Sequence, residues 1–312
     1  MKNIDLHCHL DGSLPLEAIQ EVLKRPISES DVQVPIECES LAEYLECFHL
    51  PLECMQTELG LEYVSYHFMA SLAGDDMKYI EVRFAPMLST IHGLSGEEVI
   101  NAVIRGLNRG KKQFGIDYQI ILCTMRHHPL SLNLEVLKLA KAFLGNGVCA
   151  VDIAGSEADY PMSLFRQLFL QASIWKIPFT IHAGECGNID NVLEAIDLGA
   201  TRIGHGIALS DHPEALALCR EKQIPIEMCP TSNIQTKSVK DIKKYPLREF
   251  LEEGLLVTIN TDNRTVSNTS IQNEFLFIQN NFGITDDEII LLKSNARKST
   301  FPTLFENHER NL

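Results

Sequence analysis

Short apolar runs alternate with amphipathic stretches of helical length along almost the whole chain. Eight of the runs read as strands: 4–9, 79–86, 118–125, 148–155, 179–185, 202–206, 225–230 and 256–262. They are apolar on both faces, as strands covered on both sides are. Between them the periodicity predicts helices, for example at 96–114, 132–144, 162–175 and 189–198. Eight β/α repeats in about 260 residues predict an α/β fold of the (β/α)8 TIM-barrel type. A doubly wound open sheet is the alternative. It is weakened because no Gly-rich phosphate loop follows the first strand.

Two segments fall outside the plain repeat. Residues from about 41 to 74 add helix between the first and second strands, and 269–297 carry helical patterns after the eighth. No linker rich in Pro, Gly or Ser divides the chain, and no internal repeat appears beyond the β/α alternation. The expectation is therefore one domain over 1–312, with a lid-like helical insertion at about 40–74.

Composition narrows the function classes. A formal charge of −15 argues against a nucleic-acid backbone or an anionic membrane as partner. The longest basic cluster, 237–244, is interrupted by Asp241. No apolar run approaches the roughly 18 residues of a membrane span, and the first residues enter a strand-like segment without a signal-peptide pattern. Nine cysteines, an odd number without C-x-x-C spacing, predict a reducing, cytoplasmic compartment. Cys8, Cys186 and Cys229 lie beside polar motifs but read as small apolar fillers rather than nucleophiles.

Candidate chemistry begins in the first strand, Ile4-Asp5-Leu6-His7-Cys8-His9, followed by Leu10-Asp11-Gly12-Ser13. Residues two apart on a strand share a face, so His7 and His9 present two imidazoles together. An H-x-H pair alone is weak. Here Gly155 ends the fourth predicted strand, His182-Ala183-Gly184-Glu185 the fifth, Gly204-His205-Gly206 the sixth and Thr261-Asp262-Asn263 the eighth. All lie at carboxyl ends of strands, the face on which barrel enzymes build active sites. His7, His9, His182 and Asp262 offer three nitrogens and a carboxylate, a set suited to one Zn2+ with a position left for water. Such a site lowers the pKa of water from about 15.7 toward about 7. Glu185 is placed to shuttle a proton, and His205, flanked by glycines that allow close approach, to orient or deprotonate the attacking water. Asp262 can both bind metal and accept a hydrogen bond from that water.

These segments, with Cys229-Pro230-Thr231-Ser232-Asn233 and Asn260-Thr261-Asp262, resemble in order the adenosine/AMP deaminase family of metal-dependent hydrolases. The resemblance covers nearly the whole chain. It implies a zinc barrel that replaces the purine 6-amino group with oxygen. His7, His9, His182 and Asp262 would hold one Zn2+ per chain, Glu185 would protonate purine N1, and His205 would assist the attacking oxygen. Gly155 matches the glycine whose backbone N–H meets N3. His9 and Asp11 are also implied to touch substrate, and Asp11 matches the aspartate that holds the ribose 5′-hydroxyl. Members acting on free adenine tend to carry Glu there. Around residue 40–55 the extra helices resemble the family's lid, with Leu45 and Phe48 as apolar contacts or as plain helix core. Asn263 departs from the family's usual second Asp, and an amide donates to purine N7 without needing a proton.

The resemblance implies a small-molecule purine nucleoside as partner, and adenosine with 2′-deoxyadenosine as substrates. Adenine or a modified aminopurine nucleoside is the alternative substrate, and a non-catalytic binding protein the alternative class. His127-His128-Pro129 reads as a loop without metal, and Trp175 as a residue packing on the barrel.

Overall fold

The structure, a computed structural model, describes residues 1–302 apart from 36, 37 and 39. The eight expected strands are present as β1 Asn3–His9, β2 Met77–Phe84, β3 Asp117–Met125, β4 Val148–Ala154, β5 Thr180–Ala183, β6 Arg202–His205, β7 Ile226–Met228 and β8 Val257–Ile259. Each runs parallel to its sequence neighbour in two four-stranded halves, β1 to β4 and β5 to β8. Single bridges join the halves, Cys8 with Asp262 and Val151 with Phe179. The result is a closed (β/α)8 barrel. β4 is buried at every position, as the apolar run predicts for a strand covered on both faces.

The last strands are shorter than expected; past β8 the backbone pairing continues only as isolated bonds, Asn260 N to Met228 O (2.9 Å) and Asp262 N to His7 O (2.8 Å), reinforced by a side chain. The Asn260 amide donates to Met228 O (3.3 Å) and accepts from Leu6 N (3.0 Å), so it links β7 and β1 where β8 stops. Helix Gly96–Phe114 has the expected bounds. Ser95 caps it in a reciprocal box with Glu98, and Gly115 ends it at φ 69°. The 162–175 segment opens with a 3-10 turn, Met162–Phe165, before its α-helix Arg166–Ile174.

Outside the repeat, the region after β1 forms helices Leu16–Leu23, Leu41–Glu46, His49–Cys54 and Glu58–Ser71. After β8, helices Ile271–Phe282 and Asp286–Lys298 follow, and the second packs on β8 and β1. Trp175 packs against the main apolar core, as expected. Among the described residues no helix is long and apolar enough to cross a membrane.

The barrel interior is not hydrocarbon throughout. Arg83 of β2 meets Asp152 of β4 (2.6 Å) and Glu227 of β7 (2.9 Å). Arg202 of β6 meets Glu81 of β2 (2.6 Å) and Glu227 (2.5 Å). All five side chains are fully or almost fully buried, where charge is stable only when paired. At the far end, Ser299 O accepts from Arg202 (2.7 Å), and the Phe301 ring lies 4.0 Å from its guanidinium carbon.

Candidate active site

At the carboxyl ends of the strands the expected side chains converge. A bulge interrupts the β1–β2 register between Asp5 and Cys8, just ahead of His9. Such irregularities re-aim side chains beside sites. Nε2 of His7 lies 3.0 Å from Nε2 of His182, and Nε2 of His9 lies 3.2 Å from the same atom. Asp262 Oδ1 is 3.6 Å from His7 Nε2 and 3.5 Å from His9 Nε2. His205 stands beside this group, and its ring nitrogen lies within 4.8 Å of donor atoms of His7, His182 and Asp262.

The residues behind these donors decide their protonation. His7 Nδ1 is 2.8 Å from Glu227 Oε2, and His182 Nδ1 is 2.7 Å from Asp152 Oδ2. A carboxylate only accepts, so each Nδ1 carries the hydrogen; Nε2 of neutral His7 is then an acceptor, and Nε2 of His182 is one whenever that ring is neutral. Burial holds His7 and His9 neutral, well below the usual histidine range. At His182 burial opposes the charge, but the adjacent Asp152 carboxylate outweighs it and raises the pKa. Glu227 and Asp152 stay ionised, down at about 2 despite burial: Arg83 and Arg202 support Glu227, and His182, followed by Arg83, supports Asp152.

The ring nitrogens of His7 and His9, 3.0 and 3.2 Å from that of His182, can all turn lone pairs inward with it only if a cation lies between them. Ligands about 2.0–2.1 Å from a tetrahedral centre stand about 3.3 Å apart. The spacing and donor types of these four side chains therefore fit a divalent metal of zinc's size. Ser232 holds the other oxygen of Asp262 at 2.6 Å, leaving Oδ1 turned to the histidines. His205 and Asp262 themselves adopt left-handed backbone, φ 64° and 58°, a strain characteristic of functional positions.

Glu185 follows β5 in a turn that starts at Gly184, and burial pushes its carboxyl up to about 7. His205 Nε2 is 3.9 Å from Glu185 Oε2. The Asn233 amide lies 2.9 Å from His205 Nδ1, while its carbonyl oxygen accepts from Tyr245 Oη at 3.2 Å. Nδ1 is then an acceptor, and the hydrogen of neutral His205 sits on Nε2, facing the site. Burial brings its pKa down to about 4. A side chain at Gly204 would put its Cβ 3.1 Å from His7 Cε1, so the expected close approach is real.

A cavity of about 390 Å3 lies over these groups. Asp11, Gly155 and Asn263 line it, as do Leu45 and Phe48 from the helices after β1. Gly155 has φ 104°, which a side chain would strain. Asp11 is 8% exposed, and its Oδ1 has no hydrogen-bond partner. Asn263 packs against Gly12 and its Oδ1 is likewise unpartnered. No Lys or Arg lines this cavity among the described residues.

One expectation needs amendment and one gains a detail. Cys8 and Cys229 are buried fillers, but Cys186 is exposed, because the turn after β5 points its side chain outward. His127, read as part of a bland loop, lines the cavity, although no further cluster able to hold a metal appears among the described residues. The sequence reading also missed Arg83, Asp152, Glu227, Ser232 and Asn233 as supports. The available signal for three of them was a charged residue in the middle of an apolar strand, which must find a buried partner.

Comparison with known proteins fits this geometry. The family model described as "Adenosine deaminase" matches residues 3–310. Curated relatives named adenosine deaminase include one from Enterococcus faecalis, 43% identical over 96% of this chain and 92% of its own length. One from Clostridium botulinum is 41% identical over 96% and 93%. Among solved structures, the N6-methyl-AMP deaminase from Arabidopsis thaliana superposes with a TM-score of 0.84 at 26% identity, covering 97% of this chain and 92% of that one.

Proposed function

The chain belongs to the adenosine deaminase family, and from that premise we propose that it hydrolyses adenosine and 2′-deoxyadenosine to the corresponding inosine and ammonia. It is an enzyme, a hydrolytic aminohydrolase. The observation that carries the reading is the convergence of His7, His9, His182 and Asp262 beside a buried, proton-bearing Glu185. We assign the four side chains as holders of one Zn2+, which when bound supplies a water activated for attack at neutral pH.

The chain's own residues do the rest. Glu185 donates its proton to purine N1, which draws electron density from C6 and exposes it to attack. His205 Nε2–H donates to the attacking oxygen and orients it, since Asn233 fixes this tautomer. Asp262 Oδ1 accepts from that oxygen. The oxygen adds to C6 and gives up the water's two protons, one restoring Glu185 and one joining the 6-amino group, which leaves as ammonia, while the purine keeps the N1 proton and a carbonyl at C6. Gly155 N–H meets N3 and the Asn263 amide donates to N7. Asp11, with its unpartnered oxygen, accepts from the 5′-hydroxyl. The absence of a cavity Lys or Arg disfavours a 5′-phosphate. Nine free cysteines support a reducing, cytoplasmic setting.

The test mixes purified protein separately with adenosine, adenine and AMP and follows absorbance near the adenosine maximum. Adenosine should be consumed fastest. Preference for free adenine would move the protein to the adenine reading, and no loss with any of the three would refute the assignment.

A further inference from the structure

Between β4 and β5 the barrel ladder is reduced to one bridge, Val151 with Phe179, at the end away from the site. Toward the site, side chains replace it. Asp152 Oδ1 accepts from His182 N (3.2 Å), and Arg126 donates to His182 O (2.7 Å). Beyond them Glu157, in the loop after β4, accepts from Gly184 N at 2.6 Å through Oε1 and from Cys186 N at 2.9 Å through Oε2. These are the two backbone N–H groups that flank Glu185. Glu157 is 3% exposed, and the guanidinium of nearby Arg126 hydrogen-bonds to Tyr160 O and His182 O instead.

The loop that carries Glu157 also carries Gly155. The seam it bridges therefore separates Gly155 from Glu185, which meet N3 and N1 of one pyrimidine ring. A buried carboxylate with both oxygens committed to backbone donors is a rigid tie.

We propose that Glu157 is a positioning residue, whose carboxylate staples the loop after β5 to the loop after β4 and thereby sets Glu185 against Gly155. The inference rests on the adenosine reading above. Gln at 157 keeps the shape but turns an NH2 toward a backbone N–H, so one tie becomes a repulsion. Asp keeps the charge but is one methylene shorter and reaches one N–H at most. Either way Glu185 drifts from N1 while the metal ligands stay put.

The test compares zinc-loaded wild type, Glu157→Gln and Glu157→Asp for kcat and KM on adenosine, bound metal and pH profile. Both variants should lose about 10- to 100-fold in kcat, with KM changed far less and metal content unchanged. The pH profile separates charge from shape. Facing Glu185 are His182, His205, Asp262, Arg126, Glu157 and the Ser238 hydroxyl. The basic limb of kcat, where Glu185 loses its proton, should move to lower pH in Gln, which removes a nearby negative charge, and stay in place in Asp. If Gln fails to fold, Asp decides by its kcat, KM and metal content. Wild-type kcat in both variants overturns the proposal, as does metal loss in proportion to kcat. Active wild type with unaffected variants refutes the staple alone, whereas wild type inert toward adenosine refutes the substrate reading and the staple with it.

Discussion

Removing Asp11 tests which part of the substrate the protein grips. Asp11 sits in the turn after β1, lines the cavity and is nearly buried. Its carboxyl is supported by backbone N–H groups of Asp11 and Gly12, yet Oδ1 has no partner. Burial, helped by the negative charge of Asp262, pushes its pKa up to about 6. At pH 7 it is thus an ionised acceptor short of one donor, which the 5′-hydroxyl of a nucleoside supplies. A hydrogen bond to a charged group contributes about 1.5–3 kcal/mol, or roughly 10- to 150-fold in kcat/KM. Asp11→Ala should lose that factor on adenosine and almost nothing on adenine, which lacks the sugar. AMP should behave oppositely, because the variant removes a like charge beside its phosphate. In the wild type the preference for adenosine over adenine should weaken below about pH 6, as the carboxylate takes up a proton. Initial rates from absorbance loss on the three substrates measure all of this. Equal losses on adenosine and adenine would refute the ribose contact.

Glu185→Gln should keep metal and nucleoside binding but lose several orders of magnitude in turnover, measured by elemental analysis and initial rates; near-normal turnover reassigns the proton donor. The same change should stabilise the metal-free fold at pH 8. The folded pKa of Glu185, about 7, exceeds its ordinary 4.5, so stability falls as pH rises through that window, by about 3 kcal/mol at completion; denaturant melts that show no gain at pH 8 contradict this. Chelation should abolish activity and zinc restore it, with about one metal per chain in active protein; active protein free of transition metal would refute the site. Asn263→Asp should make kcat/KM decline on the basic side at lower pH than in the wild type, since a carboxylate donates to N7 only while protonated; an unchanged pH profile would remove Asn263 from the N7 contact.

The eight strands were legible because parallel strands covered on both faces are apolar at nearly every position, and β4 is the clearest case. Their ends were less so. Residues 260–262 look like a continuation of β8, but Asn260 spends its amide on Met228 and Thr258 and accepts from Leu6. The backbone still pairs there, Asn260 N with Met228 O (2.9 Å) and Asp262 N with His7 O (2.8 Å), but as single bridges on two different neighbours rather than as a continued strand. Hydrophobic pattern does not distinguish such a crossing from a regular strand end.

The site divides in the same way. Groups that point into the cavity, His7, His9, His182, Glu185, His205 and Asp262, sit at strand ends, where position alone marks them. Their supports lie one layer down. Glu227 is 220 residues from His7 and Arg83 is 69 from Asp152, so no local spacing connects them. Ser232 and Asn233 were visible as a motif, but their tasks, holding Asp262 and fixing the tautomer of His205, exist only in three dimensions.

The charge of that buried layer bears on the metal. Glu81, Glu227, Asp152 and Asp262 form one continuous network with Arg83, Arg202 and the histidines. With the imidazoles neutral, as binding a metal requires, four carboxylates against two guanidiniums leave two negative charges in a largely buried layer. An uncompensated buried charge costs several kcal/mol, so such an excess persists only where something positive completes it. Under the assignment proposed above, His7, His9, His182 and the free oxygen of Asp262 would supply the donors for that completing charge. A monovalent ion leaves one charge uncovered; a divalent ion closes the account with the donor set already chosen for it. The arginines therefore act at a distance on the metal. By holding Glu227 ionised, and in the case of Arg83 by adding to the support His182 gives Asp152, they keep hydrogen on each Nδ1 and leave each Nε2 free to bind.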